Sequence, residues 1–490
     1  MTASQNATSP PPLLSRAELR ACLIVLLIAA AWSALLSCIY WPGLATEDGA
    51  TRSVHALALL GEPQITPNFL SHWFPPGLTL LMSASLRWFG SLGPVTMLQA
   101  FWVAASLGWL LVLSAGPRLG LIFLALPLIY PPLFTHSITH LADGWSVAAL
   151  ASLTCCTVLW HRRAKSQHTS QSPSWLRALI TLLLVSSCLA LLTFRANGVT
   201  VMPLLAIFML WLVRPASRAI AGLVVIGMCM AATPLLVQNI PWPRRDTVAT
   251  SLIWEHVGML KLSQDPKLAT QYSLDDICIP PANTQSLIER HNWVTHDSIM
   301  FRRPLVLQSA KIMKPDDNVV RSRFKDLASN QPLLYLRMKL QTWRTLMGLR
   351  GGIPLIYIWN KAPTWTQPLG TSFERTGPLK KWSDPINDWN ASNQMRLEYS
   401  ALPIIWISGA LLALTACFIQ KKPCWPAIFC VLYAAAYYGA FFLITPGTQY
   451  RYFMPAHALL YVALMSAITT AVRARASTLS SSAAAQTTCT

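Results

Sequence analysis

The sequence predicts an all-α polytopic membrane protein with about ten transmembrane helices, a juxtamembrane helix in the first outer loop and a mostly helical extramembrane domain. The chain is 53% hydrophobic and only 12% charged, whereas soluble domains carry about 25% charged residues. Apolar runs close to the roughly 20 residues that cross a bilayer recur along most of the 490 residues. The basic residues between these runs can also be assigned consistently to one side of the membrane.

Ten apolar segments are predicted to span the membrane. They are residues 21–40, 95–115, 119–136, 145–160, 177–194, 198–213, 219–238, 401–419, 424–444 and 452–471. The first segment follows Arg16 and Arg20 and is longer than the apolar part of a cleaved signal peptide, so we interpret it as a retained signal anchor. Residues 1–15 and 473–490 are polar and are predicted to be disordered.

The segment Pro75–Gly90 decides the topology. It is apolar but short, with two prolines at its start and Arg87 near its end. If it crossed the membrane, the basic segments 161–165, 214–218 and 420–422 would all face outward. A helix that lies in the interface instead places them inside. The positive-inside rule therefore selects ten spans, a juxtamembrane helix and both termini in the cytoplasm. The predicted location is a bacterial inner membrane.

This topology divides the chain into regions. They are a membrane core at 16–240 with a first outer loop at 41–94, an extramembrane (periplasmic) domain at 241–400, and C-terminal spans at 401–472. The stretch 239–400 is too long for a plain loop and has the size of a domain. The loops at 41–94, 137–144, 195–197, 239–400 and 445–451 would share the outer face.

The charge and the cysteines limit the classes of partner. The formal net charge is +19, from 38 basic and 19 acidic residues. The positive-inside rule explains much of this excess, so membrane lipids are predicted partners and nucleic acid is not. Most of the eleven cysteines lie in apolar runs and none forms a CxxC pattern, which argues against a disulfide framework.

A carboxylate pair is the strongest sign of chemistry. Glu47 and Asp48 are two of only five acidic residues outside 239–400. At a membrane surface, such a pair can take a proton from an acceptor hydroxyl or bind a divalent cation. Thr46, Glu47 and Asp48 also precede a helix-like run, where they would cap the helix and favour its dipole. Capping and catalysis are compatible.

Two histidines lie near Asp143, another of the five acidic residues outside 239–400. In HSITHLADG, the residues His136, His140 and Asp143 can share one helical face, which makes them a candidate divalent metal site. An interfacial polar turn is the simpler interpretation of this spacing. Asp143 matters more, because it is the only acidic residue between 63 and 245. His72, in SHWFPPG, is another candidate, but taken by itself it is more simply interpreted as a solvated loop histidine.

Two arginines are predicted to face outward, against the charge bias. Arg195 lies in FRANG, and Arg451 follows Tyr450 in TPGTQYRYFMP. The planar guanidinium suits a phosphate because it makes paired charge-assisted hydrogen bonds. The alternative is an arginine that reaches lipid headgroups.

Taken in order, these segments resemble the GT-C class of integral-membrane glycosyltransferases, which includes the protein O-mannosyltransferases and the bacterial lipid A aminoarabinose transferases. The resemblance rests on WPGLATEDGA, HWFPPGLTLLM, HLADGW and YRYFMPAHALLYVAL and covers residues 20–240 and 400–472. His72 departs from the mannosyltransferase pattern, because two aromatic residues separate it from Pro75–Pro76.

The resemblance implies a polyprenyl-phosphate-linked sugar as the donor and inversion at the anomeric carbon. Asp48 would be the catalytic base, with Glu47 and Asp143 beside it. Three residues would hold the departing phosphate, namely Arg451, Arg195 and Tyr450, and His72 would position donor or acceptor. A fixed arginine stabilises the charge that grows on the leaving phosphate. The sugar, the acceptor and the cofactor stay unidentified, with a divalent cation as the only candidate cofactor.

Two other functions fit the same features. A transporter or flippase for a lipid-linked glycan or an anionic solute would also place an acid and arginines at the membrane edge. Against it, the sequence contains no paired discontinuous helices and no repeat of its two halves. The third reading is a structural membrane scaffold without activity.

Overall fold

The structure is a computed structural model that describes residues 13–44, 46–61, 75–165, 174–238, 247–278, 282–295, 299, 317–349, 375–396, 401–443 and 450–487. These residues form helices and connections and contain no β-strand beyond one isolated parallel bridge between Leu44 and Thr139. The predicted all-helical class is therefore confirmed for the described part of the chain.

The helices of the N-terminal half are α1 (Arg16–Tyr40), α2 (Glu47–Leu59), α3 (Pro76–Phe89), α4 (Gly93–Ala115), α5 (Pro117–Ile129), α6 (Pro131–Ile138), α7 (Ala142–Lys165), α8 (Ser174–Phe194), α9 (Met202–Leu212) and α10 (Ala216–Gln238). The following segment contributes α11 (Thr247–Ser263), α12 (Pro266–Gln271), α13 (Thr284–Arg290), α14 (Asp317–Asn330), α15 (Pro332–Leu346) and α16 (Ser383–Arg396). The C-terminal helices are α17 (Pro403–Ile419), α18 (Trp425–Leu443) and α19 (Tyr450–Thr487).

The chain is a multi-pass integral membrane protein. Among the described residues, seven helices are long and apolar enough to cross a membrane, or eight if the bent pair α5–α6 is one span. Residues 197–212 and α17 are shorter apolar helices. Each of the ten predicted segments lies on one of these helices or on the bent pair. Of the ten predicted spans, seven correspond to the long helices, one to the bent pair and two to the shorter apolar helices.

Helix α7 forms the centre of the bundle. Every residue of its apolar stretch is buried, whereas only 28% of the apolar stretch of α1 is buried. Small residues such as Ala148, Ala149 and Ala151 line α7 and allow neighbouring helices to approach closely. The Trp102 indole donates a hydrogen bond to Ser152 at 3.0 Å. A central helix held in this way gives a fixed base for Asp143, which lies in its first turn.

Prolines break the helix pair that leads to α7. Pro127 lies inside α5, and Pro131 and Pro132 begin α6. Because proline lacks an N–H and clashes with the preceding turn, the chain bends by 74° between the two helices. The predicted span 119–136 is therefore a broken one. Its second part delivers the segment 136–143 to the start of α7.

The predicted juxtamembrane segment forms a helix, α3. Pro76 occupies its first turn, and Gly90 ends it with a φ of 62°, a conformation that glycine adopts without strain. Trp88 and Phe89 at its end are 75% and 65% exposed. Exposed aromatic residues at a helix end are typical of a membrane interface.

The segment between α10 and α17 docks onto the ends of spans. Trp343 of α15 donates to the carbonyl oxygen of Phe442 at 2.7 Å, at the end of α18. The Tyr438 hydroxyl of α18 donates in turn to the carbonyl oxygen of Leu346 at 2.9 Å. On the other side, α16 meets the end of α1, where the Tyr40 hydroxyl donates to Asn387 at 3.1 Å.

A buried ion pair lies within this segment, and its lysine also bonds to α18. Lys339 donates to Glu255 at 2.5 Å and to the carbonyl oxygen of Leu443 at 2.5 Å. The two side chains are only 5% and 2% exposed. We expect Lys339→Met to lower the thermal unfolding midpoint of the purified protein, because removing one partner of a buried pair costs about 3–5 kcal/mol.

The matched control for that prediction is the double variant Lys339→Met/Glu255→Leu. It removes both charges, so it avoids the loss of only one member of a buried pair. We expect it to regain a large part of the lost unfolding midpoint in the same detergent. A double variant less stable than Lys339→Met alone would contradict this account of the pair.

Candidate active site

The first turn of α2 positions Asp48. The N-cap residue is Thr46, whose side chain accepts a hydrogen bond from the Gly49 amide at 2.9 Å. Since Thr46 caps the helix, the Asp48 carboxylate is available for other contacts. Glu47 is the first residue of α2, but its side chain lies outside what the structure describes.

A short backbone pairing brings the two acidic segments together. The Leu44 amide donates to the carbonyl oxygen of Ile138 at 2.8 Å. Leu44 lies four residues before Asp48, and Ile138 lies five residues before Asp143. Gly49 packs against the segment before α7, where a Cβ would lie 3.0 Å from the Cβ of His140. A larger residue at 49 would push the two segments apart. Asp48 and Asp143 are thereby held on the same side of the bundle.

Two arginine–carboxylate pairs form the site. Arg451 pairs with Asp48, and Arg195 pairs with Asp143 at 3.1 Å and 3.4 Å. The Asp143 side chain is completely buried, whereas the Asp48 side chain is 23% exposed. Asp48 is therefore the carboxylate that a substrate can reach.

Tyr452 connects the two pairs. The guanidinium carbons of Arg195 and Arg451 lie 5.1 Å and 5.2 Å from its ring centroid, within the range of cation–π attraction. Phe441 stacks on the same ring at 4.8 Å and fixes its orientation. We call Asp48, Asp143, Arg195, Arg451 and Tyr452 the arginine–carboxylate cluster.

Arg52 is a functional candidate that the sequence analysis missed. It lies four residues after Asp48 on α2 and is 2% exposed. It donates to the carbonyl oxygens of Pro75 at 3.2 Å and Phe194 at 3.3 Å, and so ties α2 to α3 and α8. Arg52 faces outward in the predicted topology, so the charge-bias argument used for Arg195 would also have found it.

The charges and the burial of this region shift the pKa values of Asp48 and Arg52. Burial raises the pKa of Asp48, but the Arg451 charge, assisted by Arg52 and Arg195, brings it below its usual value. Burial lowers the pKa of Arg52 to about 9 against the opposing effect of Asp48, so Arg52 is still charged at neutral pH. Among the described side chains of this region, three guanidinium groups accompany two carboxylates.

The remaining predicted site residues lie elsewhere or are not described. The Tyr450 hydroxyl is buried and forms a hydrogen bond with His457, whereas Tyr452, two residues on, contacts both arginines. His72 lies outside the described residues. The predicted roles of Tyr450, His72 and Glu47 stay predictions.

The candidate metal residues do not converge. The His140 Nε2 atom lies 3.0 Å from the Thr96 hydroxyl and 3.1 Å from the carbonyl oxygen of Pro42. The His136 Nδ1 atom lies 2.7 Å from the carbonyl oxygen of Pro132, and Asp143 pairs with Arg195. Within the described ranges, no group of three or more His, Cys, Asp or Glu residues is arranged to hold a metal ion.

Comparison with known proteins gives a structural match but no match in sequence. A scan against protein-family models finds none that fits, and no curated protein matches the sequence. In structure the chain is similar to ArnT from Cupriavidus metallidurans, solved as a crystal structure bound to undecaprenyl phosphate. The match covers 93% of this chain and 77% of that one, with 12% sequence identity and a TM-score of 0.32.

Proposed function

We propose that this chain is a membrane glycosyltransferase that moves a sugar from a polyprenyl-phosphate-linked donor to an acceptor on the outer, periplasmic face. The observation that supports it best is the direct pairing of Asp48, the candidate base, with Arg451, the candidate phosphate ligand. The pairing puts both groups at one site, and they must separate when substrates bind, because the acceptor oxygen, the anomeric carbon and the phosphate lie between the base and the phosphate ligand in an in-line displacement. The guanidinium groups of Arg195 and Arg451 also suit an anionic donor, because they can make paired charge-assisted hydrogen bonds to a phosphate.

The proposed reaction is a single inverting displacement. Asp48 takes the proton of the acceptor hydroxyl, whose oxygen forms the new bond to the anomeric carbon. The bond between that carbon and the phosphate oxygen breaks, and the phosphate keeps the electron pair. Arg451 and Arg195 then stabilise the charge that develops on the phosphate. Asp143, fully buried beside Arg195, would hold that arginine in place.

The resting pair also suggests an order of events. While Arg451 is paired with Asp48, the lowered pKa of that carboxyl makes it a weak base. A donor phosphate that takes over the Arg451 guanidinium would weaken this pair and raise the pKa of Asp48 towards its usual value. The base would thus strengthen only when the donor is bound. This order would protect the enzyme from unproductive chemistry on the acceptor alone.

The proposed topology has ten spans, with both termini in the cytoplasm and the arginine–carboxylate cluster on the outer face. Cysteines at exposed positions test it. In sealed cells, we expect a membrane-impermeant thiol reagent to label Ser329→Cys, on α14, and to leave Lys422→Cys and Lys165→Cys unlabelled until the cells are opened. External labelling of position 165 would overturn the assignment of sides.

Sugar transfer itself is tested directly. The protein in lipid nanodiscs is mixed with a polyprenyl-phosphate sugar and candidate acceptors, and single-turnover loss of the sugar from the lipid is followed by mass spectrometry. Transfer or donor cleavage that depends on the protein supports the proposal. Donor that stays intact but crosses the membrane of sealed vesicles containing the protein would instead identify a flippase.

A further inference from the structure

Helix α15 has its polarity reversed relative to a helix that faces water. Four of its six buried residues are polar, namely Lys339, Gln341, Thr342 and Thr345. Its exposed residues include Leu333, Leu336 and Leu340, which are 73%, 48% and 47% exposed. A water-facing helix would bury the leucines and expose the polar residues.

The exposed residues form one continuous face. With 3.6 residues per turn, Leu333, Leu336, Arg337, Leu340 and Arg344 fall within about 100° of the helix circumference. The three leucines and two arginines are therefore neighbours. We call these five residues the leucine–arginine face. Leucines beside arginines are the composition of a helix at a bilayer surface, where arginines reach the lipid phosphates.

The position of α15 in the fold puts this face at the membrane boundary. Its residues Lys339 and Trp343 bond to the last carbonyl oxygens of α18, at Leu443 and Phe442. Helix α18 is one of the helices long and apolar enough to cross the membrane, so α15 lies level with the end of a span. The Leu443 side chain at the end of this span is itself exposed.

A second element repeats the pattern independently. The short 3-10 turn at Lys380–Trp382 and helix α16 expose Trp382 and Trp389, each by about half. They are tied to the end of α1 by a hydrogen bond from the Leu379 amide to the carbonyl oxygen of Cys38 at 2.8 Å. Tryptophan is enriched where a membrane protein meets the lipid headgroups. Two separate elements, each anchored at the end of a span, thus present surfaces that suit lipid.

We propose that the leucine–arginine face of α15 contacts the bilayer, with Leu333, Leu336 and Leu340 among the upper acyl chains and Arg337 and Arg344 at the phosphate groups. The segment between α10 and α17 is then partly immersed in the membrane surface and is not simply a water-soluble domain resting above it. The inference concerns where this helix lies and is independent of the activity proposed above.

Spin labels on the whole protein test this surface. Nitroxides are attached at Leu336→Cys and Leu340→Cys in lipid nanodiscs, in a parent in which Cys22, Cys38 and Cys489 are replaced by serine. The matched controls are Ser322→Cys and Ser329→Cys, at exposed polar positions of the neighbouring helix α14. Collision rates are measured with oxygen, which concentrates in lipid, and with a nickel chelate, which stays in water.

The proposal predicts that oxygen exceeds the nickel chelate at both leucine positions and that the order is reversed at both serine controls. A nickel collision rate at 336 and 340 equal to that of the controls would place the face in water and overturn the proposal. Low collision rates with both reagents would also overturn it, because the face would then be covered by protein, from a second copy or another partner. The two labels are read independently, so one badly folded variant leaves the other decisive.

Discussion

Replacing Asp48 with asparagine is expected to lower turnover by a factor of about 100 or more, since general base catalysis contributes about 10²–10⁴-fold to enzymatic rates. The change keeps the size of the side chain but removes the proton acceptor. It also releases Arg451 from its ion pair, so donor affinity should stay the same or rise. The measurement is a comparison of single-turnover transfer rate and donor dissociation constant in the same nanodisc preparation.

The separation of rate from affinity distinguishes a base from a structural residue. A variant that is merely misfolded would lose donor binding together with turnover. Glu47→Gln is the adjacent control, and we expect it to reduce turnover less than Asp48→Asn, because the GT-C resemblance implies that Asp48 is the base. Wild-type turnover in Asp48→Asn would refute the role of Asp48 in proton transfer.

Replacing Arg451 with alanine is expected to weaken donor binding by at least about tenfold and to abolish most turnover, because a charge-assisted hydrogen bond contributes about 1.5–3 kcal/mol. Arg451→Lys keeps the charge but loses the planar fork, so it should remain impaired. Arg451→Ala should also raise the apparent pKa for the pH dependence of kcat/KM, because Asp48 loses the neighbour that holds its pKa low. Donor binding can be measured by isothermal titration.

Two further arginine variants serve as comparisons for Arg451→Ala. Arg195→Ala removes the partner of Asp143, and a loss of donor affinity similar to that of Arg451→Ala would indicate that both arginines bind the phosphate. Arg87→Ala, at an exposed position of α3 away from the cluster, should leave donor binding unchanged. Unchanged donor affinity in both Arg195→Ala and Arg451→Ala would remove the phosphate clamp, and with it the main support for a lipid-phosphate donor.

The sequence identified four members of the cluster separately. Asp48 and Asp143 were found because acidic residues are rare in the membrane part of this chain. Arg195 and Arg451 were found because they oppose the positive-inside bias. In each case an ionisable residue in an apolar chain is costly unless it is used, which makes it conspicuous. Arg52 escaped notice only because the same argument was not applied to the helix that carries Asp48.

Which residues pair could not be predicted from the sequence. Asp48 and Arg451 are 403 residues apart, and a sequence has no local signal for contacts at that distance. The histidines of 136–143 show that a favourable spacing in the sequence does not establish a shared site. Their spacing allowed a shared metal, but the His140 ring lies against Thr96 and Pro42, where the absence of a Cβ at Gly43 leaves room for it.

The sequence alone determined the helical membrane class and the identity of most charged candidates. Burying polar groups in a bilayer is so unfavourable that membrane segments are visible in the composition, and the few charged residues in them stand out. The tertiary structure alone decided that Asp48 faces Arg451, that Asp143 faces Arg195, and that Tyr452 rather than Tyr450 joins the two pairs. It also decided that α15 exposes its leucines. The sequence of this helix would equally have allowed them to be buried. The physical reason is that charge and hydropathy are properties of each residue, whereas partners depend on how distant helices pack around α7.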